Sequence, residues 1–542
     1  MKTMKLNLFV LGVFLLISEF ALAQNAPTEF KNPILSGFHP DPSICRVGDE
    51  YYMVNSSFEW FPGIPIYKSK DLVNWKLIGY GLTRPEQMQF QDGLQNSRGI
   101  YAVTIRHHEG LFYLITTCVQ CGGNFYITAK DPAGPWSDPI WLHSQGIDPS
   151  LFWDEDGKCY YAGHGNISKQ NDWPEKNGVW IQELDTKQGK LVGNRVQLTH
   201  GHASNARWTE GPHIYKINGK YMLLVAEGGT GFFHSVTVFH SDSVWGPYIP
   251  DHANPVLTHR HLGKDNHIHS VGHADLVQTQ NGEWWAVSLA KRRFDGYSYL
   301  ARETFLTPVE FQKLEGVKWE TPVFNSGKGV IPEVCKRPNL PWSPIEKQPI
   351  RDEFNTDKLA LEWNFLRTPM TKWYDLKDDK LQINLRAEVA DSLVNPSLIA
   401  KRIEHIAFTV TAKMGFSSRK SNEQAGLIIY RVSNGHVQLV KEKDDIVIYA
   451  TCKSDKKELT RKPYKASEVV FQIVSDGKDM RFYFGNSDKK LSDLNVSLPL
   501  SIISDEKVNG GFNGPYVGMY ATSNGKSSKN KASFEWFDYL SK

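Results

Sequence analysis

The chain has 542 residues, with 62 Lys and Arg against 59 Asp and Glu, a formal charge of +3, and 40 % of it is apolar. This balance excludes an intrinsically disordered chain, a collagen-like repeat and a strongly basic nucleic-acid binder, so no nucleic acid is expected as a partner. The length implies at least two domains, each large enough to bury a core.

The first 23 residues read as a secretory signal peptide. Lys2 and Lys5 supply a positive start, and Leu8 to Ile17 is an apolar run too short to span a bilayer. Ala21-Leu22-Ala23 is a small-residue cleavage site, which puts the mature start near Gln24. Export is expected, to the periplasm or the medium, with no membrane span in the mature chain. The chain has six cysteines, too few for a disulfide scaffold at this length. Cys118-x-x-Cys121 is the close pair. Free buried thiols are expected, with one local disulfide as the alternative.

A weak repeat follows. Asp41-Pro-Ser-Ile leads to Tyr51-Tyr52, and Tyr101-Ala-Val-Thr leads to Phe112-Tyr113. Asp148-Pro-Ser-Leu leads to Tyr160-Tyr161, Glu210-Gly-Pro-His to Tyr221, and His273-Ala-Asp-Leu to Trp284-Trp285. Each unit is an alternating run, a turn such as Asn218-Gly219 and an aromatic-rich strand, which is a β-hairpin signature. More strand-like text follows, as in Ile66 to Trp75 and Val236 to Trp245. The five units start about 40 to 65 residues apart, the chain length a four-stranded propeller blade needs. The fold class is therefore all-β. Residues 24–335 are read as a five-bladed β-propeller catalytic domain, with a solenoid as the runner-up. Residues 336–349 hold Pro338, Pro341, Pro344 and Pro349 and read as a linker. Residues 350–542 carry short strands between polar turns and read as a jelly-roll β-sandwich. The basic stretch from Lys453 to Lys457 reads as a solvated face of that sandwich.

Blade-opening residues converge at one mouth of a propeller, which gathers Asp41, Asp148 and Glu210 from distant segments. Carboxyl groups crowded in a concave site push one another's pKa values apart. Glycosidic hydrolysis needs one protonated and one ionised carboxyl. Glu210, between Trp208 and Gly211-Pro212, suits the acid. Asp41 suits the base, and Asp148 tunes the acid.

These residues resemble glycoside hydrolase family 43, most closely its β-xylosidase and α-L-arabinofuranosidase members. The segments that carry the resemblance are Phe38-His-Pro-Asp41-Pro-Ser, Phe58-Glu-Trp-Phe-Pro-Gly63, Ile147-Asp148-Pro-Ser, Trp208-Thr-Glu210-Gly-Pro-His-Ile-Tyr, Ala226-Glu-Gly-Gly-Thr230 and Ala301-Arg302-Glu-Thr. The resemblance covers the whole mature chain. It implies an inverting exo-hydrolase that releases terminal xylose or L-arabinofuranose from plant hemicellulose oligosaccharides. It implies that Arg302 binds the sugar in the deepest subsite, with Phe58 as its wall and Thr230 nearby. His273 is implied as an axial histidine, and Phe512 as a sandwich-loop aromatic that closes the pocket. The second blade departs from the family pattern: Tyr101-Ala-Val-Thr104 stands where members often have Trp-Ala-Pro-Asp, and Tyr101 keeps an aromatic for stacking.

Other signals stay open at this level. His259, His261, His267, His269 and His273 are close together but match no known ligand spacing, so metal binding is undecided and a pocket-rim loop is the simpler reading. The chemistry needs no cofactor. Structural calcium is conceivable in the propeller channel, or where Asp352-Glu353 meets Trp536-Phe-Asp538. The alternatives for function are a retaining fructosidase-like propeller enzyme and a non-catalytic sugar-binding protein. Oligomeric state is not legible in the sequence.

Overall fold

The computed structural model describes residues 26–167, 172–346, 349–508 and 511–542. The expected signal peptide lies outside the described residues. No helix among them is long and apolar enough to cross a membrane.

Five four-stranded antiparallel sheets form the propeller. Their innermost strands are Ser43–Val47, Thr104–His108, Ser150–Trp153, Glu210–Ile217 and Ile268–Gln278. Each begins at, or a few residues from, a repeat-opening residue read from the sequence. Hairpin chemistry explains the local folding. Asn218 and Gly219 both have positive φ, +48° and +74°, as a tight type I′ turn requires. That turn sets Glu210–Ile217 against Lys220–Glu227. The later strands are shorter than the strand-like text. The run from Ile66 stops at Ser69 and the run from Val236 stops at Ser241, each followed by a turn built on side-chain caps. Apolar side chains between neighbouring blades form separate clusters, such as Tyr160, Ile181, Leu223 and Phe239.

The ring is closed where Glu29–Lys31 pairs with Val334–Lys336. The proline-rich segment then runs along the propeller: Leu340 is buried and the Ser343 amide donates to Asp71. On the propeller axis, Asp275 of blade 5 accepts from Ser43 and the Ile44 amide of blade 1, Arg106 of blade 2 and Tyr215 of blade 4. Four blades are thus tied to one fully buried carboxylate. Burial works against that charge, but the Arg106 guanidinium holds Asp275 below the usual carboxylate range.

The C-terminal domain is a β-sandwich of two eight-stranded sheets among the described residues. One sheet ends on Trp60–Phe61, which belongs to the propeller: Phe61 pairs with Phe365, and Trp60 with Leu366. The two domains therefore share a sheet beside Phe58. The strand pairing expected near Asp352 and Asp538 is present, with Arg351 opposite Asp538. Asp538 accepts two bonds from Arg351, and Asp352 accepts the Trp363 indole and caps Phe354. Lys453 to Lys457 is exposed, as expected. Cys118 and Cys121 are joined in a disulfide, not left as the free thiols favoured by the sequence reading, and the other four cysteines are free.

Candidate active site

One cavity opens on the propeller mouth. It is lined by Asp41, Asp148, Glu210, Phe58, Tyr101, Thr230, His273, Arg302 and Phe512, which are all nine side chains singled out from the sequence. Ala102 and Ile147 complete the lining.

The backbone delivers two of the acids and His273 by one repeated device. Asp41, Asp148 and His273 all have left-handed φ, between +48° and +52°. Non-glycine residues rarely adopt this region, and such strain concentrates at functional sites. The kink falls just before the strand for Asp41 and Asp148, and inside the strand, at a break in register, for His273. Neighbouring bonds lock the segments. The Pro40 carbonyl accepts from the Asn55 side chain and the Ser56 amide. The Thr104 hydroxyl donates to the Pro149 carbonyl at 2.9 Å. Thr104 therefore braces the segment carrying Asp148.

The three carboxyl groups sit in different environments. Asp41 accepts from Ser56 Oγ at 2.6 Å and from Arg302 Nη1 at 2.6 Å. The Glu210 carboxyl has no hydrogen-bond partner among the described residues. Its burial, and then the charges of Asp148 and Asp41, push it well above the usual carboxylate range. Burial also pushes Asp148 up, to about 6, against the opposing charges of His273 and Arg302. The His273 ring packs on Gly211, where a Cβ would stand 2.9 Å from it, so glycine is required next to Glu210. Gly211 also has φ of +57°.

The sandwich supplies the last wall. The Phe512 ring lies 5.9 Å from Phe58 and 5.8 Å from Tyr101, and Arg302 sits 5.1 Å above it. Arg302 also donates to the Phe512 carbonyl at 3.3 Å. A network beneath holds this loop. Ser97 Oγ accepts the Phe512 amide, and buried Glu59 accepts both the Ser97 amide and the Asn513 side chain. Sequence reasoning missed Ser56, Glu59, Ser97 and Asn513. Glu59 stood inside a quoted motif, and its complete burial is what marks it in the structure.

The histidine-rich segment is mostly committed to structure. His259 bonds the Ile268 carbonyl and the Ile331 amide, and His269 bonds the hydroxyls of Ser270 and Ser298. Among the described residues, no group of three or more His, Cys, Asp or Glu is placed to hold a metal ion.

A five-bladed propeller that gathers three carboxyl groups in one pocket has the parts a glycoside-cleaving enzyme needs. Comparison with known proteins agrees. The model for glycosyl hydrolases family 43 matches residues 30–315, and the beta xylosidase C-terminal concanavalin A-like domain matches residues 351–540. The chain belongs to glycosyl hydrolases family 43. It is 38 % identical to a non-reducing end alpha-L-arabinofuranosidase of Bacteroides ovatus, over 99 % of this chain and 98 % of that one. It is 34 % identical to a beta-xylosidase of Bacillus subtilis, over 94 % and 99 % of the two chains. Among solved structures, a xylan beta-1,4-xylosidase from Bacillus halodurans superposes with a TM-score of 0.87 at 34 % identity, covering 94 % of this chain and all of that one.

Proposed function

We propose that this glycosidase is an exo-acting, inverting enzyme that removes terminal xylose or L-arabinofuranose from hemicellulose-derived oligosaccharides. The observation that carries the reading is the unequal setting of three carboxyl groups in one pocket. Glu210, pushed up by burial and by two neighbouring acids, keeps a proton to donate. It protonates the glycosidic oxygen as the bond to the anomeric carbon breaks. Asp41, oriented by Ser56 and Arg302, takes a proton from water, and that water oxygen bonds to the anomeric carbon from the opposite face. Asp148 tunes Glu210 through its charge. Solvent exchange then returns both groups to their starting states. The carboxyls complete this chemistry without a cofactor.

Arg302, Phe58, Tyr101, Thr230, His273 and Phe512 hold the terminal sugar in this reading. Closure of the pocket by Phe512 supports exo action, because a chain cannot thread past it. The relatives named for xylosidase and arabinofuranosidase activity support a pentose as the released sugar. The N-terminal signal pattern supports a periplasmic or secreted location.

The test is proton NMR of the first-formed product from the nitrophenyl β-xyloside or α-L-arabinofuranoside, whichever is turned over. Inversion of the anomeric configuration is expected. Retention would sink the water-attack mechanism and favour a covalent intermediate. Glu210→Gln is expected to lower turnover at least a hundredfold while sugar binding persists. Undiminished turnover would remove Glu210 as the acid.

A further inference from the structure

Glu210 sets the side on which the leaving group departs. A residue that protonates the glycosidic oxygen must lie within hydrogen-bond reach of it. The rest of the leaving group therefore extends over the rim beside Glu210. Two loops build that rim. One precedes Glu210 and carries Trp208. The other continues from the strand that pairs Ala226 with Glu210 and runs through Thr230, which lines the pocket, to Phe232 and Phe233.

The two loops form one braced unit. The Gly228 amide donates to the Arg207 carbonyl at 2.8 Å. The His202 amide and ring both bond the buried Glu227 carboxylate, which also takes the Thr237 hydroxyl. The Trp208 indole lies on Gly229, where a Cβ would stand 3.2 Å from it. Trp208 also has φ of +50°, a region that bulky residues seldom adopt. Trp208 is nevertheless 40 % exposed. Phe232 and Phe233 meet edge to face at 5.3 Å, and Phe233 is 65 % exposed. A lone exposed aromatic needs no explanation. Three of them, on the two loops that frame the catalytic acid, do need one. Arg207 at this rim is paired with Glu175, so the patch offers no unpaired charge from that side chain to an anionic ligand.

We infer that Trp208, Phe232 and Phe233 form the platform for the leaving-group sugar, and that its ligand is a neutral pyranose ring laid with its C–H face on the aromatics. This rests on the glycosidase reading above and adds the residues that hold the leaving-group sugar outside the pocket. Aromatic rings suit this role because they bury apolar sugar surface with little loss of side-chain freedom.

The experiment compares two leaving groups of similar chemistry on the same pentose. One is a sugar, in the xylose- or arabinofuranose-terminated disaccharide. The other is methanol, in the methyl glycoside, which is too short to reach the rim. Trp208→Ala is expected to lower the disaccharide-to-methyl ratio of kcat/KM roughly tenfold. Phe233→Ser, at a position too exposed to endanger folding, is expected to lower it severalfold. Trp208→Phe should restore most of the ratio. A ratio unchanged in both the Ala and Ser variants overturns the proposal. So does a parallel loss on both substrates, which would place Trp208 behind Glu210 and not beneath the ligand. A change of mass in analytical ultracentrifugation with the ratio intact also overturns it, and assigns the patch to contact between copies. A wild-type enzyme inert on every pentoside would instead fell the glycosidase reading and this platform with it.

Discussion

Replacing Asp148 by Asn should stabilise the protein, and only above mildly acidic pH. Asp148 is 6 % exposed, and burial moves its carboxyl from 3.8 to about 6. A group whose pKa is higher folded than unfolded contributes most stability below the unfolded value and loses it as pH rises through the folded one. The displacement corresponds to about 3 kcal/mol, fully expressed above pH 7 and absent near pH 4. Asn has the same shape and does not titrate. The variant should therefore match the wild type at pH 4 and exceed it by about 3 kcal/mol at pH 8. For a cooperative unit of about 500 residues, both domains together, this corresponds to about 3 °C in Tm. Tryptophan-detected unfolding at pH 4, 6 and 8 measures it. Equal stability at pH 8, or a difference that does not vary with pH, would refute the reasoning. A second readout comes from Glu210, which the Asp148 charge helps to push up. Residual activity of Asp148→Asn should lose its alkaline limb at lower pH than the wild type.

Arg106→Met should destabilise the propeller by about 3 to 5 kcal/mol, because it strands the fully buried Asp275 carboxylate on the axis; denaturant titration checks this. Asn513→Ala should raise KM for the terminal sugar about three- to tenfold with a smaller change in kcat, since it frees the Phe512 loop from Glu59. It should also lower Tm modestly, because the buried Glu59 carboxyl loses a donor, partly offset by removal of the unpartnered Asn513 Oδ1. Steady-state kinetics and a thermal melt separate the two effects.

The site was legible wherever function coincided with the repeat. Asp41, Asp148, Glu210 and His273 open four of the five units, and a propeller brings unit openings to one mouth. Tyr101 opens the remaining unit, although it lacks the positive φ shared by Asp41, Asp148 and His273. Phe58, Thr230, Arg302 and Phe512 were reached through the family resemblance, since their chain positions follow no period. Ser56, Glu59, Ser97 and Asn513 were not reached at all. They act through contacts across as many as 454 residues of chain, between Glu59 and Asn513, and nothing local marks such a pairing. Strand lengths were overestimated at Ile66 to Trp75 because Asp71, a turn-former, caps the backbone of Val73 and Asn74 and outweighs the apolar alternation. The disulfide was underestimated because Cys-x-x-Cys spacing alone does not reveal that the chain reverses at Cys118 to Cys121.

The strand Trp60–Phe61 and the ring of Phe512 cross in opposite directions between the two domains. Each half lends the other a piece: the propeller completes a sheet, and the sandwich completes a pocket. Neither is a freestanding module. Recombination that swaps one half for a distant cousin's must carry over the matching edge, or it yields an open trough without a floor for the sugar. Selection on substrate preference can therefore act through residues far from the acids, in the part of the gene that encodes no chemistry.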